Sequence, residues 1–486
     1  MENLTTFKTR SPLIFVVALM VFTFISVLAV LACFSLEMRS DSFRVAAVLT
    51  TCGAIAFIAP VLTAALHRPY NIFHPLNFIA LSFFFGVFGR IFFLLFSDSP
   101  LVSDLLLDRS IDSILPGAIL SMIGSGLVCF SYSMVRKITF SFPRVNQQFS
   151  RFKEHRFYLL CPLIFVLSCV GLYFFLKATE FEYTGLDRIS AKRRVLIDGV
   201  ESGSGPWRLL AQDLPRATLL ILLGLWSTSV RRSIPLLFGI FSFGSLAIAL
   251  PFLASSRADV IFVILTACVL VNRTNGIRLE VLAFAFLISL VALFGMLSLR
   301  RVNQRGMSLS ESFSELNLEP FFGNRSFADV TKLSHIYDSV PGLIDYKYGK
   351  SFLTIVYTPI PRALWPSKPP VRMGREITEK IYNRGLDLKE RGGGTPPGIL
   401  AEAIINFGVI GFPFVLLAVG AGLALVDNSL SRMATLSVPG LALYSAVIPT
   451  LCLSIMAGDL TGALIDCLSM SFIFLTLSLL TRLKFV

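Results

Sequence analysis

Runs of about 20 apolar residues recur along most of the chain, and they constrain its fold more than any other feature. A helix of that length crosses the ~30 Å hydrocarbon core of a bilayer and satisfies its own backbone groups there. With 55% hydrophobic and only 15% charged residues, the chain is typical of a polytopic membrane protein, and an all-α fold is expected. About twelve spans are predicted, near 12–35, 43–66, 73–96, 113–135, 157–176, 209–229, 234–254, 258–272, 278–298, 398–426, 435–456 and 460–481.

Lysine and arginine in the connections predict the orientation. The termini and the short loops on their side hold sixteen, and the short loops on the opposite side hold four, so both termini are expected in the cytoplasm. Residues 1–298 then form nine spans with a basic periplasmic loop near 177–208. Residues 299–397 form a large periplasmic loop, and 398–486 form the last three spans. The two long loops hold six and fifteen lysines and arginines, although they lie on the side that usually has fewer.

Two arginines fall within predicted spans, and a third stands at the end of one. Arg90 lies about six residues from the outer end of its span, Arg216 about seven, and Arg257 at the junction of the seventh and eighth spans. An arginine at membrane depth costs about 2.5–3.5 kcal/mol on the insertion scale, so it usually faces a bundle interior or a wet cavity. Their shared depth favours one anionic site, for a ligand such as a lipid pyrophosphate. The local alternatives are that Arg216 pairs with Asp213 and that Arg90 snorkels to the headgroups.

The two long loops contain further candidate phosphate-binding side chains. In the first, the segment DRISAKRR would place Arg188 and Lys192 on one helical face, with Arg194 roughly alongside, although a solvated charge run is the plain alternative. In the second, the capping pattern Ser326–Asp329 predicts the start of a helix that ends near Pro341. Arg325 precedes this helix, at an end where the helix dipole favours anions.

The same predicted helix contains His335, the only one of four histidines on the predicted outer side. An imidazole there is suited to taking a hydroxyl proton near neutral pH, but a polar histidine on a helix face is an equally simple reading. The proline-rich segment YTPIPRALWPSKPP then predicts a rigid strap that presents Arg362 and Lys368. Residues 372–390 predict a short interfacial helix.

The segment GGGTPPGILAEAIINFGVIGF at 392–412 enters the tenth span through three glycines and two prolines. It predicts a glycine hinge, an N-cap at Thr395 and an unbroken helix to about Val426. Such a helix is about 46 Å long, so its first turns are expected among the outer headgroups. Glu402 and Asn406 are four residues apart and are expected to share a face beside the arginines.

Four segments resemble, in this order, the bacterial oligosaccharide repeat-unit polymerases, the Wzy or O-antigen polymerase family: RSFADVTKLSHIYDSVP, YGKSF, PIPRALWPSKP and GGGTPPGILAEAIINFGVIGF. The resemblance covers about 320–412, and elsewhere it rests on the spans and on the large loop before the tenth. It implies a glycosyltransferase with a GT-C-like fold in the bacterial inner membrane, with its active site on the periplasmic face.

The resemblance implies that a glycan on undecaprenyl pyrophosphate is the donor and a lipid-linked repeat unit is the acceptor. The acceptor hydroxyl attacks the anomeric carbon of the donor, and lipid pyrophosphate leaves. Neither a metal nor another cofactor is implied, and no nucleic acid is expected. Membrane lipid and a chain-length regulator protein are the other candidate partners.

This reaction needs a base for the hydroxyl and cations for the leaving pyrophosphate. His335 or Glu402 is the expected base. The expected substrate-binding residues are Arg90, Arg188, Arg194, Arg216, Arg257, Arg325, Arg362, Lys368 and Asn406.

Three other functions stay open. An O-antigen ligase shares the architecture and the donor. A metal-dependent enzyme that uses a polyprenyl-monophosphate sugar usually has an acidic pair in its first outer loop, where this chain has only Glu37 and Asp41. A lipid-oligosaccharide flippase is expected to show repeated halves and charges at mid-membrane depth, but the sequence shows no internal repeat.

Overall fold

The computed structural model describes residues 40–67, 71–138, 143–178, 205–229, 233–253, 257–277, 328–358, 373–382 and 394–482, with isolated positions between 280 and 289 and between 360 and 367. Every regular element within these ranges is a helix. In chain order the helices are α1 (Ser40–Leu66), α2 (Pro75–Phe96), α3 (Pro100–Leu106), α4 (Ile111–Val135), α5 (Pro143–Ser150), α6 (Glu154–Ala178), α7 (Leu209–Thr228, preceded by the turn Gly205–Arg208), α8 (Ile234–Leu253), α9 (Arg257–Asn275), α10 (Val330–Ser339), α11 (Lys350–Tyr357), α12 (Gly374–Ile377, continued by the π turn Thr378–Tyr382), α13 (Ile399–Leu436), α14 (Val438–Ala457) and α15 (Leu460–Leu480).

Nine of these helices are long and apolar enough to cross a membrane: α1, α2, α4, α6, α7, α8, α13, α14 and α15. The prediction of an all-α, multi-pass membrane protein is therefore confirmed for the described part of the chain. The predicted eighth span is present as helix α9, which is not among the nine. The predicted span 12–35 and most of 278–298 lie outside the described residues, so the count of twelve stays a prediction.

Helix α14 forms the centre of the bundle. In α14, 83% of the most apolar stretch of the helix is buried inside the protein. In α6 and α8 only 28% of this stretch is buried, which is expected of helices that face lipid. Helix α13 packs along α4 and α14, and α4 also packs along α1. Helices α2 and α14 finish, and α4 and α15 begin, at the same end of the bundle. This end is named the site end.

A polar network joins the helices at the opposite end of the bundle. Asp427 of α13 accepts hydrogen bonds from the Tyr132 hydroxyl at 2.6 Å and from the Tyr444 hydroxyl at 2.9 Å. The Arg273 guanidinium lies over the Tyr444 ring, 3.6 Å from its centroid. Because buried polar groups need partners at membrane depth, this network fixes α4, α9, α13 and α14 to one another.

The tenth predicted span is interrupted at Gly408, which has φ +64° and ψ −165°. A Cβ at Gly124 of α4 would lie 2.6 Å from the Leu400 side chain and 2.9 Å from the Leu416 side chain. An unbroken helix would place residues 400 and 416 about 24 Å apart, so the chain must turn back between them. Residues 399–407, here named the re-entrant helix, therefore lie alongside residues 409–436, here named the long arm. The prediction of one unbroken helix to Val426 is wrong.

The segment before the re-entrant helix also differs from the prediction. The N-cap of the re-entrant helix is Gly398, with φ +75°, and not Thr395. The Thr395 N–H instead donates to the Gly374 carbonyl at 3.0 Å and to the Thr378 hydroxyl at 2.8 Å. The start of the re-entrant helix lies level with Leu416, which is seven residues into the long arm. Seven helical residues span about 10 Å, so residues 394–398 lie about that far from the Gly408 turn, toward the inside of the bundle. Their predicted position among the outer headgroups stays a prediction.

Candidate functional site

Helix α10 belongs to the predicted periplasmic loop, yet it is inserted among the spans. Eight of its ten residues are buried. Just before it, the Ala328 carbonyl lies so close to Gly86 that a Cβ at Gly86 would be 1.6 Å from the oxygen. The Ala328 N–H donates to the Ser82 hydroxyl at 3.2 Å, and the Gly117 N–H donates to the Ser334 hydroxyl at 2.9 Å. Gly86 is near the midpoint of α2, so this part of the loop reaches well into the bundle.

The helix predicted from the capping pattern exists, but Asp329 is its N-cap, and the predicted Ser326 lies outside the described residues. The Asp329 carboxylate accepts the Thr331 N–H at 3.0 Å. The helix ends at Ser339, just before the predicted stop at Pro341. The carboxylate thus satisfies the first exposed backbone donors of a helix that begins inside the protein.

Arg90 of α2 pairs with this same carboxylate. The Arg90 Nη1 atom lies 3.3 Å from Asp329 Oδ2, and both side chains are 0% exposed. Burial alone would raise the pKa of Asp329, but the positive charges of Arg90 and Lys332 and the donated hydrogen bonds hold this pKa below its ordinary value. The alternative that Arg90 snorkels to the headgroups is therefore wrong. Its predicted contact with pyrophosphate stays a prediction.

Lys332 joins α10 to the segment that precedes the re-entrant helix. Its side chain is fully buried, and its Nζ atom donates to the Pro396 carbonyl at 2.6 Å. A buried ammonium group needs several acceptors or anions around it. Lys332 thereby brings together two parts of the chain that are 64 positions apart.

His335 lies on the same helix and is 2% exposed. Its Nδ1 atom is 3.3 Å from the Tyr382 hydroxyl, and the two rings meet edge to face with centroids 5.8 Å apart. The Ser339 hydroxyl donates to the His335 carbonyl at 2.6 Å. A phenol that holds one ring nitrogen can orient an imidazole so that its other nitrogen exchanges a proton.

Glu402 and Asn406 share one face of the re-entrant helix, as predicted. Glu402 accepts the Ser351 hydroxyl at 2.7 Å and the Leu460 N–H at 2.9 Å, one on each carboxylate oxygen. The Asn406 amide donates to the same Ser351 hydroxyl at 2.7 Å and accepts the Gly349 N–H at 2.9 Å. Both side chains are at most 1% exposed. In this geometry they fasten the re-entrant helix to α11 and α15.

Arg216 of α7 is 6% exposed and lies in a different environment from Arg90. Its Nη2 atom donates to the Thr450 hydroxyl at 3.2 Å, and its guanidinium lies 6.0 Å from the Phe262 ring centroid. Asp213, Asp259 and Asp466 are all close enough to interact with it electrostatically. The interaction with Asp213, which is the local alternative for Arg216, is thus one of three carboxylate interactions.

The other predicted binding residues have no described side chain. Arg257 begins helix α9, but its side chain lies outside the described part. Arg188, Arg194, Arg325, Arg362 and Lys368 lie outside the described residues altogether. The predicted convergence of arginines is therefore described only for Arg90 and Arg216, whose described hydrogen-bond partners differ. Among the described residues, no group of three or more histidine, cysteine or acidic side chains is placed to hold a metal ion.

Sequence reasoning missed Asp329 as an ion-pair partner, together with Lys332, Ser351 and Tyr382. Asp329 was visible only as the last residue of a capping pattern, and its contact with Arg90 spans 239 positions. Lys332 and His335 are three residues apart on one helix, which is a signal that both could reach one site. For Ser351 and Tyr382 the sequence gives no comparable signal.

The described residues define the class of protein: an all-α membrane protein with multiple spans, in which a loop helix and a re-entrant helix meet at the site end of the bundle. Comparisons with protein-family models, with curated proteins and with solved structures gave no match.

Proposed function

We propose that the chain is a glycosyltransferase that polymerises undecaprenyl-pyrophosphate-linked repeat units into a surface polysaccharide such as O-antigen. One observation carries the proposal beyond the sequence resemblance. The two resembling segments that contain α10 and the re-entrant helix pack together inside the bundle through Lys332 and Pro396. His335 lies within the structure that they form, where a reaction at a membrane surface can be shielded from water.

In the proposed reaction, a hydroxyl of the acceptor repeat unit forms a bond to the anomeric carbon of the donor glycan. The bond from that carbon to the pyrophosphate oxygen breaks, and the electron pair leaves with the lipid pyrophosphate. His335 takes the hydroxyl proton while Tyr382 fixes its ring. Lysine and arginine side chains balance the charge that develops on the leaving group. Glu402 is the weaker candidate base because both of its oxygens already accept hydrogen bonds.

The proposed location is the bacterial inner membrane, with both termini in the cytoplasm and the site end in the periplasm. The GT-C-like architecture, the twelve spans and a chain-length regulator as partner belong to the same proposal. It is supported by the excess of lysine and arginine on one side of the chain and by the resemblance over about 320–412.

The deciding experiment is an assay of purified protein in nanodiscs with lipid-linked repeat units, with and without a chelator. A ladder of lipid-linked polymer in the presence of chelator is expected. Arg257→Ala and Arg362→Ala should abolish the ladder while the protein remains folded in the membrane. Full-length polymer from both variants would contradict the pyrophosphate site, and no polymer from the wild type would contradict the proposed function.

A lipid-oligosaccharide transporter is the second candidate, because one observation favours it. Transporters often bind substrate at broken helices, and α13 is broken at Gly408 next to the buried side chains of Glu402 and Asn406. This function predicts that lipid-linked units cross a sealed vesicle membrane with no change in glycan length. Transfer of the glycan to a lipid A core in the same vesicles would instead indicate a ligase.

A further inference from the structure

The turn at residues 345–350 is attached to the end of the re-entrant helix. The Lys347 N–H donates to the Ile405 carbonyl at 2.9 Å, and the Tyr348 N–H donates to the Asn406 carbonyl at 3.0 Å. These bonds satisfy carbonyl groups that lose their helical partners at the Gly408 break. The turn is therefore a fixed part of the site end.

Two tyrosines project from this turn. Tyr346 packs against the break, since a Cβ at Gly408 would lie 3.1 Å from its hydroxyl oxygen. Tyr348 is 72% exposed, and its ring centroid is 6.0 Å from that of Tyr346 at an interplanar angle of 56°. The backbone of Tyr348 has φ +48°, a left-handed conformation that disfavours residues other than glycine. The fold thus holds the backbone of Tyr348 in an unfavourable conformation and leaves its ring exposed.

Charged residues flank the two tyrosines in the sequence. Asp345 and Lys350 on either side are exposed. Lys347, which stands between the two tyrosines in the sequence, pairs with Glu376 of α12 at 2.8 Å, and both side chains are about one-third exposed. Tyr382 lies six residues after Glu376 on the same short helix, which corresponds to about 9 Å, and it contacts His335. The tyrosine pair is therefore connected to the proposed base through one short helix.

We propose that Tyr346 and Tyr348 form a saccharide-binding subsite that stacks one pyranose ring of the glycan. The C–H face of a pyranose is apolar and packs on the electron-rich face of an aromatic ring, while its hydroxyls need polar partners at the rim. Tyr348 supplies an exposed ring, and Asp345 and Lys350 supply the polar rim. The subsite rests on the proposed function, because it would position a glycan chain whose end reacts near His335.

A tyrosine at a membrane surface can also be a simple interfacial anchor. The chain offers a matched example of that role. Tyr173 is 61% exposed and lies near one end of the membrane-crossing helix α6, beside Phe174 at 5.4 Å. Tyr348 differs in its charged neighbours and in its left-handed backbone, and neither feature is needed for an anchor.

The test measures binding of oligosaccharide to purified full-length protein in nanodiscs. The probe is the oligosaccharide freed by mild acid from the lipid-linked pool of the source cells, and binding is followed by saturation-transfer NMR. Tyr348→Gly and Tyr348→Leu should each weaken binding about tenfold, which corresponds to 1.4 kcal/mol. Tyr348→Phe, which keeps the ring, should bind within about twofold of the wild type. Tyr173→Ala should bind as the wild type does.

Tyr348→Gly separates binding from folding, because glycine accepts the left-handed conformation without strain. Its midpoint of thermal unfolding should not fall, although its affinity for the oligosaccharide does. Wild-type affinity in Tyr348→Gly and Tyr348→Leu would overturn the proposal, as would an equal loss in Tyr173→Ala or no binding by the wild type.

The polymerisation assay distinguishes failure of the subsite from failure of the proposed function. A wild type that makes polymer, together with a Tyr348→Gly variant of unchanged affinity, rejects only the subsite. A wild type that makes no polymer rejects the polymerase, even where the oligosaccharide binds through Tyr348.

Discussion

Removing one partner of the Arg90–Asp329 pair should destabilise the protein more than removing both. The two charged atoms are 3.3 Å apart and both side chains are fully buried. At an effective dielectric constant of about 20 their attraction is about 5 kcal/mol. Loss of one partner of a buried pair costs about 3–5 kcal/mol, because the other charge is left uncompensated. We therefore expect this loss for Arg90→Leu and for Asp329→Ser, where serine keeps the N-cap oxygen.

The double variant should recover much of this loss, with a coupling free energy of about 3 kcal/mol between the two sites. The measurement is a double-mutant cycle on the free energy of unfolding in bicelles. The pair Arg109–Asp338 is the matched control, since its atoms are 2.8 Å apart but its side chains are 46% and 35% exposed. Its coupling should be below about 1 kcal/mol. Equal coupling in the two cycles would refute the reasoning from burial.

The pH dependence of the same variants gives a second measurement. The pKa of Asp329 is lowered in the folded protein, so the pair stabilises the fold above the unfolded value of about 3.9. This contribution is lost as the pH falls through the lower, folded value. The wild type should therefore lose more stability between about pH 5 and 2 than the double variant does. The double variant also tests function, because a folded variant that makes no polymer would assign Arg90 or Asp329 a role beyond their ion pair.

The remaining predictions concern packing and the base. Gly86→Ala should lower the free energy of unfolding by more than about 3 kcal/mol, because the new Cβ would meet the Ala328 carbonyl. Gly126→Ala is the control: its Cβ would have nothing within 4 Å, so the same unfolding assay should show no change or a gain of up to about 1 kcal/mol. His335→Gln should leave the amount of folded protein unchanged and lower the polymerisation rate about a hundredfold or more, and a rate near that of the wild type would exclude it as the base. Glu402→Gln should lower the unfolding free energy by about 1–3 kcal/mol, because the amide has one acceptor oxygen for two donors, the Ser351 hydroxyl and the Leu460 N–H, and this loss should exceed the effect on the rate per folded molecule.

The spans could be predicted from the sequence because hydropathy is a local property. Nine of the twelve predicted spans coincide with apolar helices in the described residues, and a tenth coincides with α9. The end of α10 near Pro341 was also predicted correctly, since proline and glycine act on their own neighbourhood. Sequence reasoning was sound wherever the cause and its effect lay within a few residues.

The site could be predicted only in part, because its contacts join distant positions. The glycines and prolines at 392–398 predict a hinge before one long helix, but the chain reverses at Gly408. Nothing local distinguishes Gly408 from a tolerated helix glycine, since the reversal depends on the turn at 345–350 that caps the Ile405 carbonyl. The shared face of Glu402 and Asn406 was correct, but their partners lie on α11 and α15.

The charges of the described arginines bear on where a pyrophosphate could be held. Arg90 is balanced by Asp329, and Arg216 lies among three carboxylates, so neither offers much uncompensated positive charge to a ligand. The sequence between Asp345 and Glu376 has no acidic residue and six basic ones: Lys347, Lys350, Arg362, Lys368, Arg372 and Arg375. Lys347 and Arg375 have acidic partners on α12. If the proposed function is correct, we expect the leaving group to depend more on this acid-free stretch, through Arg362 and Lys368, than on Arg90 and Arg216, whose charges carboxylates already offset.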